Sequence, residues 1–324
     1  MRAVICRELT GLAGLEHVTD WPEPQAGPGE VVVEVKAAAL NFPDVLMIQG
    51  LYQERPPLPF VVGTEMAGVV SAVGEGVSQF AAGDRVVAAC GRTLAERVAV
   101  KASLLLPAPR GLGFEAAAGL CITYFTTQHA LKQRAALQPG ETLLVLGAAG
   151  GVGTTAVELG KEMGATVIAA ASTDEKLELA RSLGAEHLVN YTTQDLRERI
   201  KEITAGRGVD VVYDPVGGAL AEPALRSMAW KGRYLVIGFA GGDIPRIPLN
   251  LPLLKGCSIV GVFWGSFAQR ERDLQRQNVA ELWQMFETGR LSPVVGETHA
   301  LADYAAAFES LGGRRARGKV VVLP

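Results

Sequence analysis

Leu143-Leu144-Val145-Leu146-Gly147-Ala148-Ala149-Gly150-Gly151-Val152-Gly153 is an apolar strand feeding a glycine-rich turn, and Thr154 to Met163 continues it as a helix. That order of elements suits a pyrophosphate. Glycine lets the backbone turn sharply and approach phosphates, and the helix that follows points free N–H groups and its positive dipole end at them. The spacing departs from G-x-G-x-x-G at one place: Ala148 takes the first glycine position, while Gly150 and Gly153 fill the other two. The same pattern also occurs as a plain tight turn of α/β proteins, so its neighbours decide. If it binds a dinucleotide, Ala149, Gly150, Gly151, Val152 and Gly153 line the phosphates.

The neighbours alternate. After Cys121 the chain reads as a strand at 142–147, a helix over 152–163, a strand at 166–171, a helix over 174–183 and a short strand at 187–190. A helix over 195–204, a strand at 209–213, a helix over 220–228, a strand at 232–237 and an apolar run at 258–264 follow. Such alternation calls for a parallel sheet covered on both faces, with its binding crevice at the carboxyl ends of the strands. From Met1 to about Leu120 the chain instead reads as strands and turns, punctuated by Trp21-Pro22-Glu23-Pro24 and Pro56-Pro57-Leu58-Pro59, as in a small β-barrel. The tail carries two helical stretches, 273–288 and 302–311, and ends in the strand Gly318-Lys319-Val320-Val321-Val322-Leu323. A terminal strand needs a partner, and the barrel offers one. The expected organisation is therefore one domain from 1–121 and 265–324 and an inserted dinucleotide domain from 122–264, with the active site in the cleft between them.

A chain of 324 residues exceeds the roughly 250–300 at which single cores stop growing, so two domains are the default. Its 48% hydrophobic and 20% charged residues and net charge of −3 are those of a globular protein, not a nucleic-acid binder. The tightest basic cluster, Arg314, Arg315 and Arg317, is too short for a nucleic-acid tail; it fits a solvated end or one anionic ligand group. No apolar stretch reaches the ~18 residues of a membrane span, and Met1 to Cys6 lacks the apolar core of a signal peptide, which predicts a cytoplasmic protein. Cys6, Cys90, Cys121 and Cys257 form no C-x-x-C pair and the four histidines are scattered, so neither a zinc ribbon nor a redox motif is expected.

In a Rossmann unit an acidic residue ending the second strand, ~20 residues past the glycine turn, receives the ribose 2′-hydroxyl of NAD. Here that position is Ala171, followed by Ser172 and Thr173. A small uncharged strand end leaves room for a 2′-phosphate, and Lys176 one turn into the next helix supplies a positive charge, which favours NADPH. Asp174 is either a displaced ribose ligand or a helix N-cap, and its position favours the cap. Tyr191 stands at the same end of the expected cofactor.

The chain as a whole resembles the zinc-free quinone oxidoreductases of the medium-chain dehydrogenase/reductase superfamily. The likeness rests on Asn41-Phe42-Pro43-Asp44, Gln49-Gly50-Leu51-Tyr52, Gly63-Thr64-Glu65-Met66-Ala67-Gly68, Gly83-Asp84-Arg85-Val86, Ala148 to Gly153, Gly208 to Asp214 and Gly318-Lys319-Val320-Val321. It implies a Rossmann doubly wound parallel sheet inserted in a GroES-like β-barrel catalytic domain, and a homodimer paired through the apolar strand near 258–264. Zinc-dependent members of the superfamily carry a cysteine at the place of Asn41 and a histidine at that of Thr64. With neither present, nor the four-cysteine loop of a structural zinc lobe, no metal is expected.

Without a Lewis acid, the favourable hydride acceptors are those that delocalise negative charge: quinones, or alkenes conjugated to a carbonyl. The resemblance places Asn41 against nicotinamide and substrate, Thr126 on the nicotinamide amide, and Gly238, Phe239, Phe263 and Trp264 around the nicotinamide half. Outside it, Asn41 also reads as a turn asparagine capping the segment before Phe42-Pro43, and Phe263 and Trp264 read equally as core or interface aromatics. Tyr52 matches the segment that carries the active-site tyrosine of enoyl thioester reductases, which makes it the candidate proton donor or else a wall of the pocket. Asp44 and Glu65 are acids that need partners if buried. An enoyl-CoA or enoyl-ACP reductase is the second reading, with Arg270, Arg272 and Arg276 as either a CoA-meeting rim or a solvated face. A nucleotide-binding protein without catalysis is the third.

Overall fold

The computed structural model describes every residue, Met1–Pro324. The chain forms two compact units, Met1–Ile122 with Ser292–Pro324, and Thr123–Leu291. The return to the first unit thus comes at Ser292, where the sequence reading puts it at 265. Aromatic packing accounts for the difference. Phe267 stacks on His129 with ring centroids 3.8 Å apart, Phe286 meets Tyr124 edge-on at 4.8 Å, and Gln133 and Asn278 hydrogen-bond each other. These contacts hold the helices Trp264–Arg270 and Arg272–Glu287 in the second unit.

In the first unit the strand Glu30–Leu40 is the spine. One edge pairs antiparallel with Glu65–Val73; the other pairs with Arg97–Lys101 and then, over Ala38–Leu40, with the terminal strand Lys319–Leu323. The terminal strand has a second, parallel neighbour in Val295–Ala300, a strand the sequence reading did not anticipate. Arg85–Ala89 and Leu106–Pro107 extend the sheet, and a small antiparallel sheet of Leu15–Val18, Ala3–Cys6 and Phe60–Val61 completes the unit. Val31, Val33, Val35, Leu40, Met66 and Val320 share one apolar core.

The second unit is a six-stranded parallel sheet. Its spatial order is His187–Asn190, Thr166–Ala171, Thr142–Leu146, Val209–Asp214, Met228–Val236 and Ser258–Gly261. Numbered along the chain this is 3-2-1-4-5-6, the doubly wound order, whose direction reverses beside the glycine-turn strand. Leu143 to Leu146 have no exposed surface, as expected of a central parallel strand covered on both faces. The expected apolar run over 258–264 divides into the short strand Ser258–Gly261 and the helix starting at Trp264, and a further helix, Asn250–Lys255, precedes it. The outer edge of Ser258–Gly261 carries no strand, and Ile259, Leu253, Leu254 and Trp230 are exposed in the same unit. No helix is long and apolar enough to cross a membrane.

Candidate active site

At the glycine turn the structure explains which glycines are required. Gly147 has φ +60°, a left-handed conformation costly for other residues, so the sharp turn is made one residue before the position Ala148 occupies. Gly150 closes the turn by donating to the Gly147 carbonyl at 3.0 Å and caps the helix Gly151–Glu162. A Cβ on Gly153 would lie 2.1 Å from the Gly147 oxygen, so the helix start can pack on the strand end only without a side chain. Ala149 and Gly153 are buried, while Gly150, Gly151 and Val152 are half-buried and offer the first N–H groups of a twelve-residue helix to a ligand.

Pairing of Ala171 with Asn190 brings two neighbouring strand ends together. There Lys176 Nζ lies 3.3 Å from Ser172 Oγ, and Tyr191 packs partly into the core beside them. Ser172 and Lys176 therefore meet at this strand end, where the Tyr191 N–H donates to the Ala171 carbonyl at 3.2 Å. Asp174 is a correction: Thr173 is the N-cap, its hydroxyl accepting from the Lys176 N–H, and Asp174 is the first helical residue. Its carboxylate accepts instead from Asn190 Nδ2 at 2.8 Å, which ties the strand end to the helix.

Thr126 is half-buried on the helix Leu120–Gln128. Its neighbour Thr127 was not singled out by sequence, yet its hydroxyl lies 2.7 Å from that of Thr155 and 2.8 Å from the Tyr213 phenol, joining two helices and a strand. Asp214, ending the same strand, accepts from the Val216 and Gly217 N–H groups at 2.8 Å each and from the Tyr234 hydroxyl. It shapes the turn after the fourth strand; an acid directly before Pro215-Val216-Gly217-Gly218 was the available signal. Gly238 follows the fifth strand, and Phe239 leaves no room for a Cβ on Gly217, 2.8 Å away. Phe263 is exposed, whereas Trp264 packs on Phe125 at 5.7 Å and donates its indole N–H to Gln275. Arg270, Arg272 and Arg276 are exposed, and Arg276 pairs with Asp273 on its own helix.

The first unit holds a buried polar cluster built by strand register. Val320 pairs with Leu40 and Met66 with Ala38, which sets Lys319, Asn41 and Glu65 side by side at three strand ends. Asn41 opens the short helix Phe42–Met47, but its side chain does not cap it. Asn41 Nδ2 donates to Glu65 Oε1 at 2.8 Å, and Asn41 Oδ1 accepts from Lys319 Nζ at 2.7 Å. Glu65, with no exposed surface, also accepts from Lys319 at 2.6 Å and from the Ile122 N–H at 3.0 Å. Lys319 completes the cluster by donating to the Leu40 carbonyl at 2.9 Å. Sequence reasoning missed this lysine, although a charge heading an otherwise apolar terminal strand must find a partner.

Beside the cluster, Asp44 Oδ2 accepts from the Asn41 N–H at 2.7 Å and from the Thr64 hydroxyl at 2.9 Å, while Oδ1 is buried without a partner. Burial pushes the Asp44 carboxyl up to about 7 from the usual 3.8, against the lowering effect of those hydrogen bonds and of Lys319. Since the unfolded chain ionises this group at its ordinary value, the folded chain alone keeps the proton between about pH 4 and about 7. The resulting stabilisation is complete below that window and is lost as pH rises through it. Asp44→Asn, which keeps an acceptor but never ionises, is expected to lose less stability than wild type between pH 5 and pH 7.5. Urea midpoints at the two pH values check it; equal losses contradict the protonated carboxyl.

Tyr52 is half-buried and its hydroxyl makes no hydrogen bond within the chain. Burial, then the nearby Glu54 and Asp44 carboxyls, raise its phenol above the ordinary value, so it stays protonated. Cys90 is pushed up to about 12 and Cys121 well above its usual value by burial, with Glu65 adding to both, so these thiols are inert. No three His, Cys, Asp or Glu side chains are grouped so that they could hold a metal ion.

Residues 27–139 match the family described as alcohol dehydrogenase GroES-like domain, and residues 151–286 the one described as zinc-binding dehydrogenase. The chain is 40% identical to quinone oxidoreductase-like protein 2 of Bos taurus over 99% of its own length and 92% of the relative's. It is 35% identical to a 2-haloacrylate reductase of a Burkholderia species, over 94% of each chain. The crystal structure of Escherichia coli quinone oxidoreductase complexed with NADPH superposes with a TM-score of 0.92 at 31% identity, covering all of both chains. With a GroES-like unit, a doubly wound unit and relatives matched along nearly its whole length, the chain belongs to the quinone oxidoreductase family of the medium-chain dehydrogenase/reductase superfamily.

Proposed function

We propose that this chain is an NADPH-dependent reductase that works without a metal and passes a hydride to quinones or to alkenes conjugated to a carbonyl. The observation that carries the reading is the polar cluster of the first unit. Where a metal-dependent relative needs thiolate and imidazole, it offers the Asn41 amide and the Thr64 hydroxyl, with the Lys319 ammonium already seated on Asn41 and Glu65. An amide, a hydroxyl and a carboxylate engaged by an ammonium make a poor zinc donor set. NADPH supplies the hydride when bound. Gly150, Gly151 and Val152 would hold its pyrophosphate on backbone N–H groups, with Ala149 and Gly153 shaping the loop. Ser172, Lys176 and Tyr191 would hold the 2′-phosphate end, and Thr126, Gly238, Phe239, Phe263 and Trp264 the nicotinamide half. Asn41 donates a hydrogen bond that orients the reacting groups, and Tyr52 holds a proton for the product.

Lys176→Ala is expected to weaken NADPH binding about tenfold, near 1.4 kcal/mol, and leave NADH within twofold. Fluorescence titration with both cofactors checks it; equal weakening of the two removes Lys176 from the 2′-phosphate.

The open edge of Ser258–Gly261, with Trp230, Leu253, Leu254 and Ile259 exposed beside it, is proposed to be covered by a second copy. Sedimentation should give twice the chain's mass, and Ile259→Lys should return it to one. A wild-type monomer contradicts this.

The reaction is tested by NADPH oxidation with 1,2-naphthoquinone and with crotonyl-CoA. The unpartnered, protonated Tyr52 hydroxyl favours the enoyl thioester as second reading, because reducing an alkene needs a proton at carbon whereas a quinone takes its protons at oxygen. Tyr52→Phe should then slow crotonyl-CoA at least tenfold more than the quinone. Turnover of neither, despite tight NADPH binding, leaves only a non-catalytic nucleotide-binding role.

A further inference from the structure

Lys319 is the only lysine or arginine of the chain that is buried, 7% exposed. An ammonium has three N–H donors and no acceptor, and here each donor has its own oxygen: Leu40 O, Asn41 Oδ1 and Glu65 Oε1, at 2.9, 2.7 and 2.6 Å. Nothing is left over for a substrate. The consequence falls on Asn41. Lys319 can only donate and the Glu65 carboxylate can only accept, so the amide is held with its oxygen toward the lysine and its nitrogen toward the glutamate, and cannot flip. The second Nδ2 proton reaches only the Ala39 carbonyl, at 3.5 Å, the limit of a hydrogen bond. That proton is the most weakly engaged donor of the cluster.

A second observation concerns the lysine stem. A Cβ on Gly119 would lie 2.8 Å from Lys319 Cγ, 3.1 Å from Cε and 3.3 Å from Cδ. The aliphatic stem therefore lies directly over a bare backbone, and Gly119 fixes the path by which the ammonium reaches its three oxygens.

We propose that Lys319 is a positioning residue: a cation supplied by the terminal strand that locks the Asn41 amide so that a single N–H is presented to the reacting groups, with Gly119 as the seat of its stem. The inference rests on the reading above that Asn41 faces the chemistry. It differs from a simple structural ion pair in predicting that the lost function returns when only the ammonium is put back.

The test uses Lys319→Ala with ethylammonium or propylammonium added, alongside Lys319→Met, Gly119→Ala and Asn41→Ala. Lys319→Ala is expected to lower kcat at least tenfold while the KM for NADPH changes less than threefold. Propylammonium at tens of millimolar should restore at least a third of the lost kcat saturably, and raise the melting temperature of the cofactor-free variant by several degrees. It should do neither for wild type or Asn41→Ala. Lys319→Met, which fills the socket without donors, should stay slow with or without amine. Gly119→Ala keeps the charge but displaces the stem, and should lower kcat with the NADPH KM held; it carries the test if Lys319→Ala does not fold. A Lys319→Met enzyme at wild-type kcat overturns the inference, as does an amine that raises the melting temperature without restoring kcat. An Asn41→Ala enzyme at wild-type kcat instead overturns the reading of Asn41, which keeps the two failures distinct.

Discussion

Gly153→Ala is expected to cost at least a hundredfold in NADPH affinity, about 2.7 kcal/mol, and to lower the melting temperature as well. The added Cβ would sit 2.1 Å from the Gly147 oxygen and 2.9 Å from both the carbonyl carbon and the Cα of Ala148. All three are backbone atoms that cannot swing aside. Helix Gly151–Glu162 and strand Thr142–Leu146 must then separate, and the N–H groups of the turn move off any phosphate they were placed to hold. Gly150→Ala separates binding from folding. Its Cβ would lie 3.4 Å from the Gly147 oxygen, an ordinary contact, so the fold should survive with its melting temperature within about 2 °C. Its methyl would stand on the half-buried face of the turn, and NADPH affinity should fall about tenfold. Isothermal titration and thermal melts of both variants check this. Wild-type affinity in Gly153→Ala would mean that the turn is not the phosphate site.

Removing Glu65 should have the largest effect on stability. Glu65→Leu takes away the carboxylate that is ion-paired with Lys319, together with the acceptor of the Asn41 amide and of the Ile122 N–H. A buried cation left alone costs roughly 3–5 kcal/mol, more than the pair itself contributes, because desolvation of the ammonium is no longer offset. In a unit of this size that corresponds to a fall of about 10 °C in melting temperature. The double variant Glu65→Leu with Lys319→Met removes both charges and should recover at least half of the loss, since two contacting residues are not additive. A double variant no better than Glu65→Leu alone would show that hydrogen bonding to Asn41 and Ile122, not the unpaired charge, carries the energy.

How much of this was legible depended on whether the deciding interaction was local. The parallel sheet, its glycine turn and the Ala171-Ser172 strand end follow from apolar rhythm and spacing within a few tens of residues. The terminal strand's need for a partner was equally readable from Val320-Val321-Val322-Leu323. Long-range side-chain partners were not. The helix Arg272–Glu287 stays with the parallel-sheet unit because Phe286 and Asn278 find Tyr124 and Gln133, about 150 positions away, and no local pattern announces that. Thr173 and Asp174 are both good caps, and only the Asn190 amide decides between them. Val295–Ala300 was missed because Val295-Gly296-Glu297-Thr298-His299-Ala300 lacks an apolar run, and the terminal strand supplies its stability. In the site, Asn41, Glu65 and Asp44 were recognisable from their motifs, but their roles turn on Lys319, which lies more than 250 positions from Glu65 in sequence.

Hydride transfer from NADPH by a metal-free site is tested most directly by stopped-flow mixing. The NADPH complex, in buffer with a strong chelator, is mixed with 1,2-naphthoquinone and the loss of reduced nicotinamide absorbance is followed against a protein-free control. Repeated turnover far above the control is expected, unchanged by the chelator and slowed at least tenfold by Asn41→Ala. Tight NADPH binding with no rate above the control, or a rate that the chelator abolishes, would contradict it.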